Sequence, residues 1–143
     1  LLDSSSAVVN PSFEELVIWQ KSRALTKSIY LLLQDNRDYG FRDQIQRASV
    51  SIMSNIAEGF GRNKHSQTNA MLIHFLGISL GSCNETKSLL YLAEDLDYLP
   101  QIECRNLREL CTDIDFKINA LVNVLQSNAK PTGTEKHNMT NRN

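Results

Sequence analysis

The 143-residue sequence has no long hydrophobic run and no recognisable targeting segment. No stretch approaches the roughly 18 consecutive apolar residues that a membrane-spanning helix needs. The first residues have no basic region ahead of an apolar one, as a secretory signal would have. We therefore expect a cytoplasmic protein that is not inserted in a membrane.

An excess of charge of either sign is also missing. Fifteen Lys and Arg residues stand against 16 Asp and Glu residues, which gives a formal net charge of −1. No overall field therefore attracts the chain to nucleic acid or to anionic lipid. Any binding of that kind must come from a local basic patch, or from a patch made by assembly.

Cysteine is scarce, and its three positions are Cys83, Cys104 and Cys111. Their number is odd, their spacings are unrelated, and two of them fall among apolar helical positions. Disulfide frameworks and metal sites need regular or paired spacings. We therefore expect three reduced cysteines in the core of an intracellular protein.

The usual signs of catalysis are absent as well. The histidines His65, His74 and His137 share no metal-ligand spacing with one another or with the cysteines. No nucleophile stands beside a base, and the Glu-x-x-His motif of di-iron bundles does not occur. Gly59 and Gly61 follow a helical segment instead of a strand, so they do not form a phosphate loop. We expect a protein that is not an enzyme and that uses no metal or other cofactor.

Helical periodicity fills most of the chain, and no segment has the period of two that marks a strand. The pattern predicts helices over residues 12–36, 41–60, 66–97 and 102–126. Short loops between amphipathic helices predict an all-α fold, an antiparallel up-down-up-down four-helix bundle in a single domain. We expect a disordered or tag-derived segment over 1–11, the bundle over 12–126, and a disordered polar tail over 127–143.

Capping and glycine signals set the predicted helix ends. Ser12 and Glu15 match the capping box that opens a helix. Gly40 is predicted to take a positive φ in the turn before helix two. Gly59 and Gly61 are predicted to end helix two, because each glycine costs about 1 kcal/mol inside a helix.

One face of helix two is polar, within about 80° of arc at ~100° per residue. We call it the polar stripe, and it comprises Gln44, Arg47, Ser51, Asn55, Glu58 and Arg62. On one side of it lie Ile45, Ala48, Ile52 and Ile56, and the apolar surface continues round to the far side with Val50, Met53, Ala57 and Phe60. That is more apolar surface than a surface helix needs, so we predict a mostly buried helix.

A seam with strict four-three spacing runs along helix three and is predicted to face the core. Its members are Phe75, Ile78, Ser82, Glu85, Leu89, Leu92 and Leu96, and the same face is widened by Leu72, Leu76, Cys83, Leu90 and Ala93. Ser82 and Glu85 are polar where leucine is expected, and antiparallel packing brings them towards the polar stripe. We expect an ion pair between Glu85 and Arg47, with hydrogen bonds from Asn55 and Ser51.

We interpret these side chains as a network that fixes helix register and contacts between subunits. Contact with a ligand or with nucleic acid, and catalysis, remain as alternatives. The predicted network is Gln44, Arg47, Ser51, Asn55, Glu58, Ser82 and Glu85. The candidate residues for binding nucleic acid are Arg42, Arg47, Arg62, Lys64 and His65.

Three segments together resemble a known family. The first is Phe13-Glu14-Glu15-Leu16-Val17-Ile18-Trp19-Gln20-Lys21. The second is Gln44-Ile45-Gln46-Arg47-Ala48 with Ser51-Ile52, Ser54-Asn55-Ile56-Ala57-Glu58-Gly59 and Gly61-Arg62. The third is Gly81-Ser82 with Glu85. The sequence resembles the small four-helix-bundle proteins encoded by intervening sequences in bacterial 23S ribosomal RNA genes.

This resemblance implies a cytoplasmic bacterial homopentamer without an established enzymatic activity and with an association with RNA. A related branch consists of accessory proteins of diversity-generating retroelements, which bind a reverse transcriptase. Two hypotheses follow, an oligomer that associates with RNA or ribonucleoprotein and a protein-binding adaptor such as a reverse-transcriptase accessory subunit.

Overall fold

The computed structural model describes residues 12–128, so the predictions for 1–11 and for 129–143 lie outside the described residues. Within that range there are four α-helices and no strand. A short 3-10 turn, Phe13–Glu15, precedes α1 (Val17–Leu32), α2 (Tyr39–Asn63), α3 (Ala70–Asp95) and α4 (Gln101–Ser127). Consecutive helices pack on each other and α1 also packs on α4, with the most extensive contact between α2 and α3. The predicted all-α, single-domain four-helix bundle is confirmed.

One apolar core runs the length of the bundle. Its fully buried side chains include Leu25, Ile29, Ile45, Ile52, Ile56, Leu76, Leu90, Ile114 and Ile118. Burying one such side chain stabilises a fold by about 1.5–3 kcal/mol relative to leaving it in water. The core therefore accounts for the bundle without any cross-link.

The three cysteines are buried and free, as predicted. The Cys83 thiol donates to the Cys111 carbonyl oxygen at 3.2 Å, across the contact between α3 and α4. The neighbouring Cys83 side chain, together with burial, raises the pKa of the Cys111 thiol. The Cys111 side chain is therefore a protonated, apolar part of the core.

Two buried hydroxyls connect α2 to its neighbours. Thr26 of α1 donates to the Ser49 carbonyl oxygen at 3.0 Å, and Ser79 of α3 donates to the Ile52 carbonyl oxygen at 2.9 Å. A buried hydroxyl is costly unless it is hydrogen-bonded, and here the partners are backbone atoms of α2. These bonds position α2 between α1 and α3.

The predicted start and end of helix one are wrong. Ser12 makes no capping hydrogen bond, and its hydroxyl donates to the Glu14 carboxylate instead. The Glu15 amide donates to the Ser12 carbonyl oxygen at 3.0 Å, which closes a 3-10 turn. The helix begins only at Val17 and ends at Leu32, four residues before the predicted end.

The role predicted for Gly40 is also wrong, because this residue lies inside α2 and has no positive φ. Asp38 caps α2 by accepting from the Phe41 amide at 3.2 Å. In the described part of the chain, the positive φ belongs to Asp97, at 54°, in the corner between α3 and α4.

Gly59 and Gly61 do not end helix two, which continues to Asn63. A Cβ atom at Gly59 would lie 2.7 Å from the Cβ of Phe75 and 3.3 Å from Leu72, so α3 packs directly on the backbone of α2 here. Gly61 has open space around the same position. The packing at Gly59 offsets the intrinsic cost of glycine, which local propensity alone does not show.

The core-facing side of α3 consists of the residues that were predicted to widen the seam, together with Ser79 and Thr86, and not of the seam itself. Its buried residues are Leu72, Leu76, Ser79, Cys83, Thr86, Leu90 and Ala93. They also follow a four-three spacing, but they lie about 100° around the helix from the predicted seam. We call the predicted set, from Phe75 to Leu96, the outer seam, since it lies at the edge of the core beside α2.

Substitution of the two glycines tests this packing. Gly59→Ala should lower the free energy of unfolding by about 1–3 kcal/mol, because the new methyl group overpacks against Phe75. Gly61→Ala is the matched control and should raise it by up to ~1 kcal/mol, because nothing lies within 4 Å of its Cβ position. Urea unfolding followed by circular dichroism measures both. Equal effects of the two substitutions would contradict the close approach.

The contact between Tyr98 and Asp38 makes stability depend on pH. The Tyr98 hydroxyl donates to the Asp38 carboxylate at 2.6 Å, and this bond, with that from the Phe41 amide, holds the pKa of Asp38 below its ordinary value of 3.8. Because the pKa of Asp38 is lower in the folded state, the ionised carboxylate stabilises the fold at pH values above 3.8. This stabilisation is lost as the pH falls through the folded-state pKa.

Tyr98→Phe should therefore lower Tm at pH 7, and the difference from the parent should shrink as the pH falls below about 4. Tyr30→Phe changes an exposed tyrosine without a described hydrogen bond and should leave Tm unchanged. A difference in Tm that is the same at pH 7 and pH 3 would show that the carboxylate is not involved.

Candidate functional site

The polar stripe of α2 and the outer seam of α3 lie side by side on one outer face of the bundle. At its centre the hydroxyls of Ser51 and Ser82 are 2.7 Å apart and share a hydrogen bond. The Asn55 amide nitrogen donates to the Ser51 carbonyl oxygen at 2.8 Å and to its hydroxyl at 3.0 Å. These three residues of the predicted network are therefore brought together.

The same face is connected at its two ends by weaker contacts. Near the start of α2, the Gln44 amide nitrogen donates to the Glu85 carboxylate at 3.4 Å. Near its end, the Arg62 guanidinium lies 5.4 Å from the centre of the Phe75 ring. Both contacts join the stripe to the outer seam, so the two helices share one register along this face.

The predicted ion pair between Arg47 and Glu85 does not form. Both residues are exposed, and within residues 12–128 Arg47 has no ion pair. The prediction assumed that Glu85 is buried, and an exposed carboxylate needs no such partner because water solvates it. Arg47 and Glu85 instead line a shallow hollow of about 490 Å³ between the two helices, together with Asp43, Gln44, Ser51 and Ser82.

The outer seam presents apolar side chains to solvent. Ile78 is 39% exposed, Leu92 is 42% exposed and Leu96 is 47% exposed. Phe75 and Leu89 of the same seam are half-buried. Thus α3 has two apolar faces, and only one of them is fully covered by residues 12–128.

Helix α2 is less buried than predicted. Its buried residues lie on one face, and the far side formed by Val50, Met53, Ala57 and Phe60 is only half-buried. Helices α1 and α3 together cover only part of its circumference, so this far side keeps some exposure within one chain.

The candidate residues for binding nucleic acid are not all in one place. Arg42 and Arg62 lie about 30 Å apart along α2 at ~1.5 Å per residue. The Arg42 guanidinium donates to the carbonyl oxygens of Gln34 and Asn36, at 3.2 and 3.3 Å, and stacks on Tyr39 at 4.9 Å. Arg42 therefore stabilises the turn between α1 and α2, and Arg47 lies midway along the helix.

Arg62, Lys64 and His65 do form a group, at the end of the bundle where α2 leads into α3. All three are exposed. Arg62 pairs with Glu58 at 2.9 Å in the predicted spacing, and an exposed pair of this kind contributes little to stability. These three side chains form a local basic group at this end of the bundle.

Sequence reasoning missed a cavity of about 520 Å³ at the same end of the bundle. Its apolar walls are Phe13, Phe60, Leu72 and Leu125, and its polar side chains include Glu14, Asn63, Lys64 and Asn69. These residues come from four separate parts of the chain, so no local spacing signals the site.

In the described part of the chain, no group of three or more His, Cys, Asp or Glu residues is placed to hold a metal ion. Between residues 12 and 128, no helix is both long and apolar enough to cross a membrane.

Comparison with known proteins assigns the family. The family model described as 23S rRNA-intervening sequence protein matches residues 14–120. A crystal structure from the S23 ribosomal protein family, a protein of unknown function from Bacteroides thetaiotaomicron VPI-5482, is 25% identical. The alignment covers 74% of this chain and 98% of that one, with a TM-score of 0.66. No curated protein matches the sequence. The chain belongs to the family of 23S rRNA-intervening sequence proteins, as its sequence segments predicted.

Proposed function

We propose that this protein is a non-enzymatic, cytoplasmic homo-oligomer that associates with RNA or ribonucleoprotein. The observation that carries the assembly is the outer seam of α3, which is mostly apolar and regular and leaves Ile78, Leu92 and Leu96 exposed. A pentamer is the stoichiometry that the family resemblance implies.

The outer seam is suited to a helix of a second copy. Its four-three spacing is that of helices packed by knobs into holes. Ile78, Leu92 and Leu96 are each 39–47% exposed, so a neighbouring chain would remove substantial apolar area from water. Assembly through this face supplies the missing cover for the second apolar side of α3.

Polar residues within the seam would set the register of that contact. Ser82 and Glu85 interrupt the apolar series, and isolated polar positions in such a seam specify alignment at some cost in stability. Arg47 stands beside them without a described ion pair and is available to a carboxylate of the neighbouring copy. The predicted network then acts between subunits as well as within one.

RNA association is proposed on the basic group Arg62, Lys64 and His65. A net charge of −1 gives no general attraction to RNA, so binding depends on local cations. In a closed ring every copy presents the same end in the same direction. Several such groups on one rim would bind a single RNA strand with much higher avidity than one group alone.

The assembly face is tested by a charged substitution. Leu92→Glu should abolish or strongly reduce oligomers in sedimentation velocity, because it places a carboxylate in a contact that excludes water. The monomer should fold normally, since Leu92 is exposed within it. Phe116→Glu is the matched control, on α4 at 72% exposure, and should not change the oligomer. Oligomers that survive Leu92→Glu would remove the outer seam from the interface.

RNA association is tested by the double substitution Arg62→Ala with Lys64→Ala. It should weaken binding of a single-stranded RNA and flatten the dependence of log K on log salt by ~0.7 for each lost phosphate contact. The control pair Lys27→Ala with Arg37→Ala removes the same charge from exposed sites elsewhere. Equal losses in both pairs would contradict a localised site, and no RNA binding by the parent at low salt would favour the protein-binding adaptor.

A further inference from the structure

We propose that the outer seam of one copy packs against the opposite side of the bundle in the next copy, on a surface between α1 and α4. This inference rests on the proposed assembly and names the surface that the outer seam binds. We call that surface the α1/α4 face. On α1 it comprises five residues in steps of four and three, Val17, Lys21, Ala24, Ser28 and Leu31. On α4 it comprises residues on one side of the helix at spacings of eleven, four and seven, Ile102, Asp113, Lys117 and Val124.

The centre of the α1/α4 face is charged. Asp113 pairs with Lys21 across the two helices and with Lys117 one turn along α4. One carboxylate therefore faces two ammonium groups, and these side chains remain 32–38% exposed. The centre has an excess of one positive charge, which is accessible to a neighbouring chain.

Apolar side chains lie on both sides of this charged centre. Leu31 and Ile102 lie towards one end of the bundle, and Val17 and Val124 lie towards the other. Because α1 and α4 are antiparallel, Leu31 and Ile102 are at about the same level, roughly 15–17 Å from the centre at ~1.5 Å per residue. All four side chains are 50–59% exposed. A partner that covers them removes apolar area from water, which favours association.

The outer seam has the same layout with the opposite charge. The hollow beside it contains the carboxylates of Asp43 and Glu85 and the guanidinium of Arg47, which leaves an excess of one negative charge. Ile78 precedes Glu85 by about 10 Å along α3 and Leu92 follows it by about 10 Å, at ~1.5 Å per residue. Both faces therefore have a charged centre between apolar ends.

Packing of the two faces on each other satisfies both kinds of group. The acidic hollow meets the basic centre, and Arg47, which has no ion pair among residues 12–128, gains the Asp113 carboxylate. Two outer seams packed together would instead bring two acidic hollows into one interface, and like charges there oppose association. That arrangement would also leave the α1/α4 face of each chain exposed. The charges therefore favour the pairing of unlike faces.

A contact between two different faces gives every copy two neighbours. The outer seam lies on the side of the bundle formed by α2 and α3, and the α1/α4 face lies on the opposite side. Contacts of this heterologous kind continue from copy to copy and form a ring where the rotation closes. One type of interface then builds an assembly larger than a dimer.

Two charged substitutions, measured alone and mixed, test the arrangement. Leu92→Glu damages the outer seam and Leu31→Glu damages the α1/α4 face, so each variant keeps one face intact. Each should be monomeric in sedimentation velocity where the parent is assembled, because a carboxylate is costly in a contact that excludes water. An equimolar mixture should form a discrete heterodimer through the two intact faces. Ile102→Glu is a second variant of the α1/α4 face, should Leu31→Glu lower Tm.

Phe116→Glu remains the control for both variants. Thr112, one turn before Phe116, accepts a hydrogen bond from Lys87 of α3 at 2.9 Å. Phe116 therefore lies on the side of α4 towards α3 and outside the α1/α4 face, and its substitution should leave assembly unchanged.

The charged centres are tested by reversing their signs. Glu85→Lys and Lys117→Glu should each weaken assembly about tenfold, because each brings like charges together between neighbouring copies. Both substitutions in one chain should recover most of that loss, because opposite charges again face each other. A double variant that assembles no better than either single variant would overturn the pairing of the two centres.

The mixing experiment separates this inference from the proposed assembly. Leu31→Glu that assembles like the parent, while Leu92→Glu is monomeric, would overturn the role of the α1/α4 face and keep assembly through the outer seam. Two monomeric variants that stay separate on mixing would overturn the pairing of unlike faces. A monomeric parent would overturn this inference together with the proposed assembly.

Discussion

The close packing of α2 on α3 is the contact on which the other features of this molecule depend. At Gly59 the two helices approach so closely that a single methyl group would meet Phe75 at 2.7 Å. The Ser79 hydroxyl bonded to the Ile52 carbonyl oxygen fixes the same contact farther along. This approach turns one apolar face of α3 into the core and leaves the second at the edge, beside the polar stripe. It also forms the floor of the cavity at the end of the bundle, where Leu72 and Phe60 line one space.

Much of the fold follows from periodicity alone. Four helical segments, their approximate order and the core placement of the three cysteines were all predictable, because burial of regularly spaced apolar residues decides them. The failures at Gly59 and on α3 share a physical cause, since both depended on contacts between helices. Gly59 is a helix breaker by propensity, but its packing partner lies on another helix. The two seams of α3 both satisfy the same spacing, so the pattern could not tell which one faces the core.

Prediction of the candidate site from the sequence also failed where contacts between helices decide the arrangement. The neighbourhood of Ser51, Asn55 and Ser82 was predictable, since antiparallel packing of two stripes brings them together. The pairing of Arg47 with Glu85 was not, because it required a depth of burial that one chain does not provide. The cavity was beyond sequence reasoning, since Phe13, Asn63, Leu72 and Leu125 meet only after the bundle has formed. The buried amide oxygen of Asn63, which has no hydrogen-bond partner among residues 12–128, likewise has no signal in the sequence.

The central claim is that the outer seam of α3 is completed by further copies of this chain. Native mass spectrometry of the protein, purified at low salt without nuclease, tests it most directly because the mass gives the number of chains and any bound RNA together. The account predicts a discrete assembly near five times the 16.2 kDa chain mass. A bare monomer at micromolar concentration would contradict it, and would leave the exposed Ile78, Leu92 and Leu96 as part of an ordinary surface.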